Sequence, residues 1–208
     1  MTLKCANVRI NTEKQLTKFW KLRKFDRMKI NSDTYYHLYN RGNNKEPIFF
    51  EDENYTFFLN QFKKFVSPCC EVYCYCLMPN HFHFFIRVND SEQFEKGIKN
   101  FFISYSKAIN KRYNRVGSLF QGRYKVSEIK SDSYYTKIIT YIHLNPIAAD
   151  LVSNLEDYKY SSYNAYLSPK ESILNREEVL EWFGGLTAFI DHHKINLNER
   201  QLNKCLNI

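Results

Sequence analysis

The sequence predicts an α+β fold, because short segments of strand-like alternation are separated by longer segments with helical periodicity. The strand-like segments are 34–41, 71–78, 81–88 and 123–130, and the helical ones are 52–66, 91–113 and 132–144. The order β-α-β-β-α-β followed by a further helix is typical of the ferredoxin-like arrangement, an antiparallel sheet with two helices on one face. The extra helix is then free to cover part of the opposite face.

Turn and cap residues support the boundaries of these elements. The first strand is stopped by the Gly-Asn-Asn turn at 42–44, and Pro79 with Asn80 turns the chain between the second and third strands. Ser131 or Asp132 can cap the last helix, which Asn145-Pro146 is predicted to end.

Length and composition favour one domain with appendages in a chain of 208 residues, 44% of them hydrophobic. We divide it into a basic N-terminal extension (1–30), a main domain (31–167) and a C-terminal helical appendage (168–208). The net charge of +8 and the 17% of aromatic residues suit a nucleic-acid partner, since cations bind phosphates and rings stack on unpaired bases. An ordinary basic surface explains the charge equally well.

The six cysteines do not have the paired C-x-x-C spacing of a structural zinc site. Cys74 and Cys76 alternate with tyrosines, which predicts that they lie on one buried face of a strand. The sequence contains neither an N-terminal apolar signal region nor a run of about eighteen apolar residues. We therefore expect a cytoplasmic protein with reduced thiols and no membrane contact.

His81 and His83 are the first candidate site residues. Residues i and i+2 of a strand point to the same side, so both imidazoles would project from one face and could chelate one metal ion. Two hydrogen-bonded or exposed histidines are the alternative interpretation.

Tyr141 and Asn145 form the second pair, because residues four apart share a helix face. Asn145 offers a neutral oxygen of the kind that Mg²⁺ or Mn²⁺ prefers, and Tyr141 offers a hydroxyl. A core tyrosine and a helix-stopping Asn-Pro are the alternatives. His143 would point away from this pair, so we do not place it on the metal.

MPNHFHFFI resembles the histidine–hydrophobic–histidine motif of the HUH endonucleases, and YIHLNP resembles the tyrosine helix of the single-tyrosine (Y1-type) transposases in that superfamily. The segments YHLYNRGNNKEPIF, GSLFQGRYK and YKYSSYNAYL are similar to further signatures of the REP-associated tyrosine transposases, in the same order. The resemblance covers roughly residues 34–167. Ala148 and Asp150 stand where that family usually has a basic residue and a glycine, and Tyr160 replaces a common tryptophan.

This resemblance implies a metal-dependent single-stranded DNA endonuclease and strand transferase. His81, His83 and Asn145 would hold Mg²⁺ or Mn²⁺, and Tyr141 would attack the scissile phosphate to leave a 5′-phosphotyrosine. Single-stranded or hairpin DNA would be the substrate, and a homodimer is possible in such a family. The general base remains open.

Tyr134 is the rival nucleophile, two helical turns or ~10 Å from Tyr141. The candidate phosphate contacts are Arg41, Arg112, Arg115, Arg123 and Lys125; Arg123 and Lys125 alternate on the last strand. Each of these five has an ordinary surface interpretation.

Two other functions remain compatible with the sequence. A host enzyme that processes dispersed hairpin repeats would use the same residues, whereas a non-catalytic nucleic-acid-binding module would need none of them.

Overall fold

The computed structural model describes residues 29–205, and the side chains as far as residue 198. The predicted basic extension at 1–30 therefore lies almost entirely outside the described residues. No helix within the described range is long and apolar enough to cross a lipid bilayer.

Four strands and six helices make up the described part of the chain, with short 3₁₀ turns between some of them. The strands are β1 (Thr34–Arg41), β2 (Cys70–Met78), β3 (His81–Val88) and β4 (Lys125–Glu128). The helices are α1 (Asp52–Phe65), α2 (Ser91–Arg112), α3 (Tyr135–Ala148), α4 (Tyr163–Leu167), α5 (Arg176–Phe183) and α6 (Leu186–Cys205).

The strands form one sheet in the order β2-β3-β1-β4, and every neighbouring pair is antiparallel. The predicted mixed fold of helices and a four-stranded antiparallel sheet is therefore confirmed. This strand order is compatible with the ferredoxin-like arrangement. The second and third strands are joined by the predicted tight turn, which leaves only Pro79 and Asn80 between them.

One face of the sheet is covered by α1 and α2 through a core of closely packed aromatic rings. Phe62 of α1 lies parallel to Phe84 of β3 with ring centroids 4.2 Å apart, and Phe58 contacts both Phe82 and Phe101. All five side chains are fully buried. Rings of this size provide most of the apolar area that this layer removes from water.

The opposite face is covered by α3 together with the C-terminal helices. Tyr135 at the start of α3 packs on Phe85 of β3 at 5.5 Å, and Trp182 of α5 packs on Tyr135 at 4.7 Å. Cys74 and Cys76 of β2 lie on this face, paired with Phe85 and His83, and both thiols are buried as predicted. The helix that the sequence left free to cover the second face does so.

The prediction that Asn145-Pro146 ends the last helix is wrong, because Pro146 lies inside α3. A proline removes one N–H from the helix, here the one that would serve the carbonyl of Ile142. The side-chain amide of Asn145 donates instead to the carbonyls of Tyr141 (2.8 Å) and Ile142 (3.4 Å). The helix therefore continues for one more short turn.

The predicted cap at Ser131 or Asp132 is also wrong. The chain enters α3 through a 3₁₀ turn at Asp132–Tyr134, without a side-chain cap on it or on the helix. The Ser131 hydroxyl lies 2.8 Å from the hydroxyl of Ser133 and bonds to it rather than to a backbone N–H of the helix. The helical geometry proper begins three residues later than predicted.

A buried chain of hydrogen bonds joins α3 to α6 and to β2. His193 Nδ1 donates to the carbonyl of Phe189 (2.8 Å), so its Nε2 must accept from Nδ1 of His143 (3.0 Å). Nε2 of His143 lies 2.8 Å from the hydroxyl of Ser162, which accepts from the N–H of Tyr75 (2.9 Å) and also lies 3.1 Å from the carbonyl of Tyr75, a second acceptor for its one proton. Both imidazoles are fully buried, which favours their neutral forms, and in these forms the Ser162 hydroxyl donates to His143.

The packing of α1 against α2 predicts the effect of one added methyl group. A Cβ on Gly97 would lie 2.1 Å from the carbonyl oxygen of Phe65, which is backbone and cannot swing aside. We expect Gly97→Ala to destabilise the protein by about 1–3 kcal/mol, in spite of the better helix propensity of alanine.

Urea unfolding followed by circular dichroism measures the effect. Lys99→Ala, at an exposed position of the same helix, serves as the control and should change the free energy of unfolding by less than about 0.5 kcal/mol. An unchanged or increased free energy for Gly97→Ala would contradict the close approach of the two helices.

The histidine chain predicts acid sensitivity. Burial lowers the pKa of His193 to about 4, and burial lowers the pKa of His143 well below its usual value near 6.5. Below pH 6.5 the unfolded chain then binds protons that the folded chain does not, so stability falls with decreasing pH by about 1.4 kcal/mol per pH unit for each such histidine.

His193→Gln keeps an acceptor for His143 but cannot titrate. We expect its free energy of unfolding to fall less steeply than that of wild type between pH 6.5 and 4, while the control Lys194→Gln follows wild type. Identical slopes for wild type and His193→Gln would show that His193 is not neutral in the folded protein.

Candidate active site

The two motif histidines lie on one face of β3, as the strand periodicity predicts. Their ring centroids are 5.1 Å apart, with the rings nearly perpendicular. In the antiparallel register, His83 is opposite Tyr39 of β1 and Cys76 of β2, and His81 is opposite Arg41. Residues that pair in this way project from the same side of a sheet, so all of these side chains share the face that α3 covers.

Helix α3 crosses this face antiparallel to β3. Its first residue, Tyr135, packs on Phe85, and the ring of Tyr141 lies 6.0 Å from that of His83. Moving toward the C-terminus of α3 therefore corresponds to moving toward the N-terminus of β3, where His81 lies. Asn145 follows Tyr141 by one helical turn, about 6 Å further in that direction. The structure thus brings Tyr141 to the predicted histidine pair, and the direction of α3 carries Asn145 from there toward His81.

Each motif histidine has one ring nitrogen held by a neighbour. Nδ1 of His81 lies 2.6 Å from the side-chain oxygen of Asn80, to which it donates. Nδ1 of His83 lies 2.8 Å from Nε2 of His37, a second buried histidine that comes from β1. Both contacts use Nδ1 and so direct Nε2 of each ring away from its partner.

His37 is the site residue that sequence reasoning missed. It lies within the first strand, in the segment TYYHLYNR, and nothing in that segment reveals which residue of another strand it will meet. Its partner in the register is Phe85, so it reaches His83 diagonally across β1 and β3. A signal was present in the alternation, which places His37 on the same side as Tyr39 and Arg41.

The three site histidines are neutral at physiological pH. Burial lowers the pKa of His37 to about 3, and burial together with the nearby charge of Arg41 lowers the pKa of His81 to about 4. Burial lowers the pKa of His83 well below its usual value, and its two histidine neighbours lower it further. A neutral imidazole is the form that can ligate a metal ion.

Three polar atoms of these side chains make no hydrogen bond within the described part of the chain. They are Nε2 of His81, Nε2 of His83 and Oδ1 of Asn145, and the other polar atom of each side chain is occupied. Two imidazole nitrogens and an amide oxygen suit a divalent cation such as Mn²⁺ or Mg²⁺. Across residues 29–198, no group of three or more His, Cys, Asp or Glu side chains has a metal-binding arrangement.

The loop after β1 holds Asn80, the residue whose side chain orients His81. The N–H of Gly42 donates to the carbonyl of Asn80 (2.7 Å), and the side-chain amide of Asn80 donates to the carbonyl of Lys45 (3.0 Å). A Cβ on Gly42 would lie 1.9 Å from the carbonyl oxygen of Glu46, so only glycine lets the loop fold back this tightly. The Gly-Asn-Asn turn therefore holds the residue that orients His81.

Tyr134, the rival nucleophile, lies at the other end of α3. It is 56% exposed in the 3₁₀ turn, and the ammonium group of Lys137 lies over its ring at 5.2 Å. Tyr141 instead contacts His37 and His83 edge-on, at 6.3 and 6.0 Å. The geometry favours Tyr141 as the tyrosine beside the histidines.

The five candidate phosphate contacts divide into two groups. Arg41 and Lys125 belong to the histidine face, because Arg41 is opposite His81 and Lys125 is opposite Tyr39. Arg41 also donates to the side chain of Gln121. Arg41 therefore lies in register with His81, and Lys125 lies in register with His83 through Tyr39.

The other three arginines take part in ion pairs within the protein. Arg112 pairs with Glu51 at 2.5 Å, Arg115 with Glu46 at 2.8 Å, and Arg123 approaches Glu95 at 3.9 Å. Arg123 precedes β4, which begins at Lys125, so the prediction that the two alternate along one strand is wrong. Residues 122–124 leave the sheet because Gly122 has a positive φ of 70°.

Comparisons with known proteins identify the family and the fold of the chain. The sequence profile of the family described as "Transposase IS200 like" matches residues 30–145, more than half of the chain. Among solved structures, a REP-associated tyrosine transposase bound to a REP hairpin is similar, with a TM-score of 0.58 and 17% sequence identity. The similarity covers 73% of this chain and 90% of the other. A comparison with curated proteins gives no significant match.

The profile ends at Asn145, so the region it matches contains all four strands of the sheet and the whole Tyr141–Asn145 turn. The structural similarity supports the fold independently. The chain belongs to the IS200-like transposases, a family of DNA-cleaving and DNA-joining enzymes.

Proposed function

We propose that the protein is a metal-dependent, single-tyrosine DNA strand transferase that cuts single-stranded DNA next to a hairpin. Tyr141 is the nucleophile, and His81, His83 and Asn145 hold one divalent cation, Mg²⁺ or Mn²⁺. The family to which the chain belongs is generally metal-dependent, which supports the requirement for a cation.

The observation that carries the proposal is the matched orientation of three donors beside one tyrosine. Asn80 and His37 occupy the Nδ1 atoms of the two motif histidines, and backbone carbonyls occupy the amide group of Asn145. Each side chain is thereby turned so that its remaining polar atom is left for a ligand, which for Nε2 of His83 requires that its Nδ1 carries the proton. A mere binding surface has no need of three donors arranged in this way next to a hydroxyl.

The chemistry assigned to Tyr141 is an in-line substitution at phosphorus. Its hydroxyl oxygen forms the new bond to phosphorus as it loses its proton, and the bond to the 3′ oxygen breaks, so that this oxygen leaves as a 3′-hydroxyl. The other product is a 5′-phosphotyrosine. Because the phosphodiester bond energy is kept in that linkage, attack by a second 3′-hydroxyl reverses the step and joins two strands.

A bound cation would supply Lewis-acid stabilisation of the charge that develops on the scissile phosphate. The protein contributes the rest. Neutral histidines impose no positive charge that would repel the cation, and the partly buried position of Tyr141 against His37 and His83 limits its orientations.

The proposed substrate is a DNA hairpin with adjoining single strand. The similar transposase structure is bound to a REP hairpin, which supports this substrate class. Arg41 and Lys125, on the histidine face, are the phosphate contacts nearest to the proposed reaction, and the net charge of +8 favours association with a polyanion.

The first test is the formation of a covalent protein–DNA adduct. Wild-type protein is incubated with single-stranded hairpins from the flanks of its own gene and with Mn²⁺ or Mg²⁺, then analysed on a denaturing gel. We expect an adduct that requires the cation and that disappears in Tyr141→Phe, which removes only the attacking oxygen.

Tyr134→Phe is the matched control and should form the adduct as wild type does. If the adduct persists in Tyr141→Phe and disappears in Tyr134→Phe, the nucleophile is Tyr134. If the protein binds these hairpins tightly but no variant forms an adduct with any of them, the protein is a binding module and the proposed chemistry is wrong.

The position of Lys125 predicts a change in the salt dependence of hairpin binding. Removing one phosphate contact should weaken binding and reduce the slope of log K against log salt concentration by about 0.7–0.9. We expect this for Lys125→Ala in fluorescence anisotropy titrations between low and moderate salt.

Arg112→Ala is the control, because Arg112 is already paired with Glu51 at the end of α2. Its slope should stay close to that of wild type. A reduced slope in Arg112→Ala with an unchanged slope in Lys125→Ala would place the DNA on the opposite side of the protein.

A further inference from the structure

His37 and His83 form a hydrogen bond whose direction decides what His83 can do. Nε2 of His37 and Nδ1 of His83 are 2.8 Å apart, and the two rings are within 22° of parallel. His37 is 6% exposed and His83 is 4% exposed, so water does not compete for this bond. Two imidazoles buried in this way are neutral, because burial penalises the charged form.

A neutral pair shares a single proton, which leaves two arrangements. In the first, Nδ1–H of His83 donates to Nε2 of His37, and Nε2 of His83 keeps a lone pair. In the second, Nε2–H of His37 donates to Nδ1 of His83, whose Nε2 then carries a hydrogen and cannot ligate a metal ion. Only the first arrangement is compatible with His83 as a ligand.

We propose that His37 is a positioning residue for the metal site: it accepts the Nδ1 proton of His83 and thereby presents Nε2 of His83 to the cation. This inference rests on the proposed function. Ligating histidines in proteins usually donate their second N–H to a carboxylate, a backbone carbonyl or water. Here a neutral imidazole takes that role, so the support adds no charge to the site.

The surroundings of His37 favour the same role. Its ring packs on Tyr39 at 4.9 Å and contacts the edge of Tyr141 at 6.3 Å. One side chain therefore touches both the proposed ligand and the proposed nucleophile. Since β1 and β3 are paired over eight residues, the position of His37 relative to His83 is set by the sheet itself.

His81 has a different support, which makes the comparison informative. Its Nδ1 donates to the side chain of Asn80, on the turn between β2 and β3. The two ligands are thus oriented by independent parts of the fold. Loss of His37 should weaken metal binding without removing the orientation of His81.

Mn²⁺ binding to the DNA-free protein, measured by isothermal titration calorimetry, tests the proposal. His37→Phe keeps a ring of similar size but removes the acceptor, and we expect affinity to fall by about 10–100-fold. His37→Gln offers a side-chain oxygen in place of Nε2 and should recover most of the affinity. Tyr35→Phe, on the same face of β1, is the control and should bind as wild type does.

The tautomers can be read directly from the metal-free protein. We expect imidazole ¹⁵N shifts to report His83 and His37 both as the Nδ1–H form, with the His83 signal changing in His37→Phe. Detection of His83 as the Nε2–H form would overturn the proposal. Circular dichroism confirms folding of each variant, and His37→Asn, too short to reach His83, replaces His37→Phe should that variant not fold.

His83→Ala separates failure of this inference from failure of the proposed function. If His83→Ala abolishes Mn²⁺ binding while His37→Phe binds like wild type, the positioning role is wrong and the metal site stands. If His37→Gln is as defective as His83→Ala, His37 is itself a ligand and the positioning role is again wrong. If wild type and His83→Ala bind Mn²⁺ equally, the proposed metal site fails and this inference fails with it.

Discussion

A sheet with two apolar faces must be covered on both, and this constraint determines the rest of the structure. Helices α1 and α2 cover one face with phenylalanines packed both parallel and edge-on. The other face carries Phe85 as well as the two motif histidines, so it too requires a covering layer. Helix α3 provides that layer, and its path over Phe85 brings Tyr141 to His83. The candidate site therefore exists because an apolar patch beside the histidines needs a helix.

Burying histidines creates a second requirement: each ring N–H proton needs a defined hydrogen-bond acceptor. The protein meets it with two histidine pairs, one on each side of α3. His37 and His83 lie between the helix and the sheet, and His143 and His193 lie between α3 and α6. In both pairs, an imidazole from one element is held by an imidazole from another, without a carboxylate. Burial favours the neutral form of such pairs, and each neutral pair places one proton between its two facing nitrogens.

The sequence predicted well whatever depends on local pattern. The strands β1, β2 and β3, the helices α1 and α2 and the shared face of His81 and His83 follow from alternation, helical spacing and turn residues. What it could not predict depends on contacts between distant segments. Ser162 and His193 meet His143 from segments 19 and 50 residues away. No periodicity in either segment encodes the partner.

His37 combines both situations, because local pattern predicts part of its environment and a distant contact determines the rest. Its strand and its face were predictable, yet its role required the register of β1 against β3, which hydrophobic pattern alone does not specify to the residue. The prediction that Arg123 lies on the last strand was wrong for the opposite reason. The alternation with Lys125 suggested a shared strand, but β4 begins only at Lys125, after the positive φ of Gly122.

Asn145 shows how one backbone problem can produce a functional geometry. Pro146 deprives the Ile142 carbonyl of its helical partner, and such a carbonyl would be costly to leave unpaired in the covered layer. The amide group of Asn145 turns back to the carbonyls of Tyr141 and Ile142 and serves them instead. Turning the nitrogen inward necessarily turns Oδ1 outward, because the two are fixed on one planar amide. The proline that the sequence suggested as a helix stop therefore orients the oxygen proposed as a ligand. Replacing the proline would remove the backbone need that holds this amide in place.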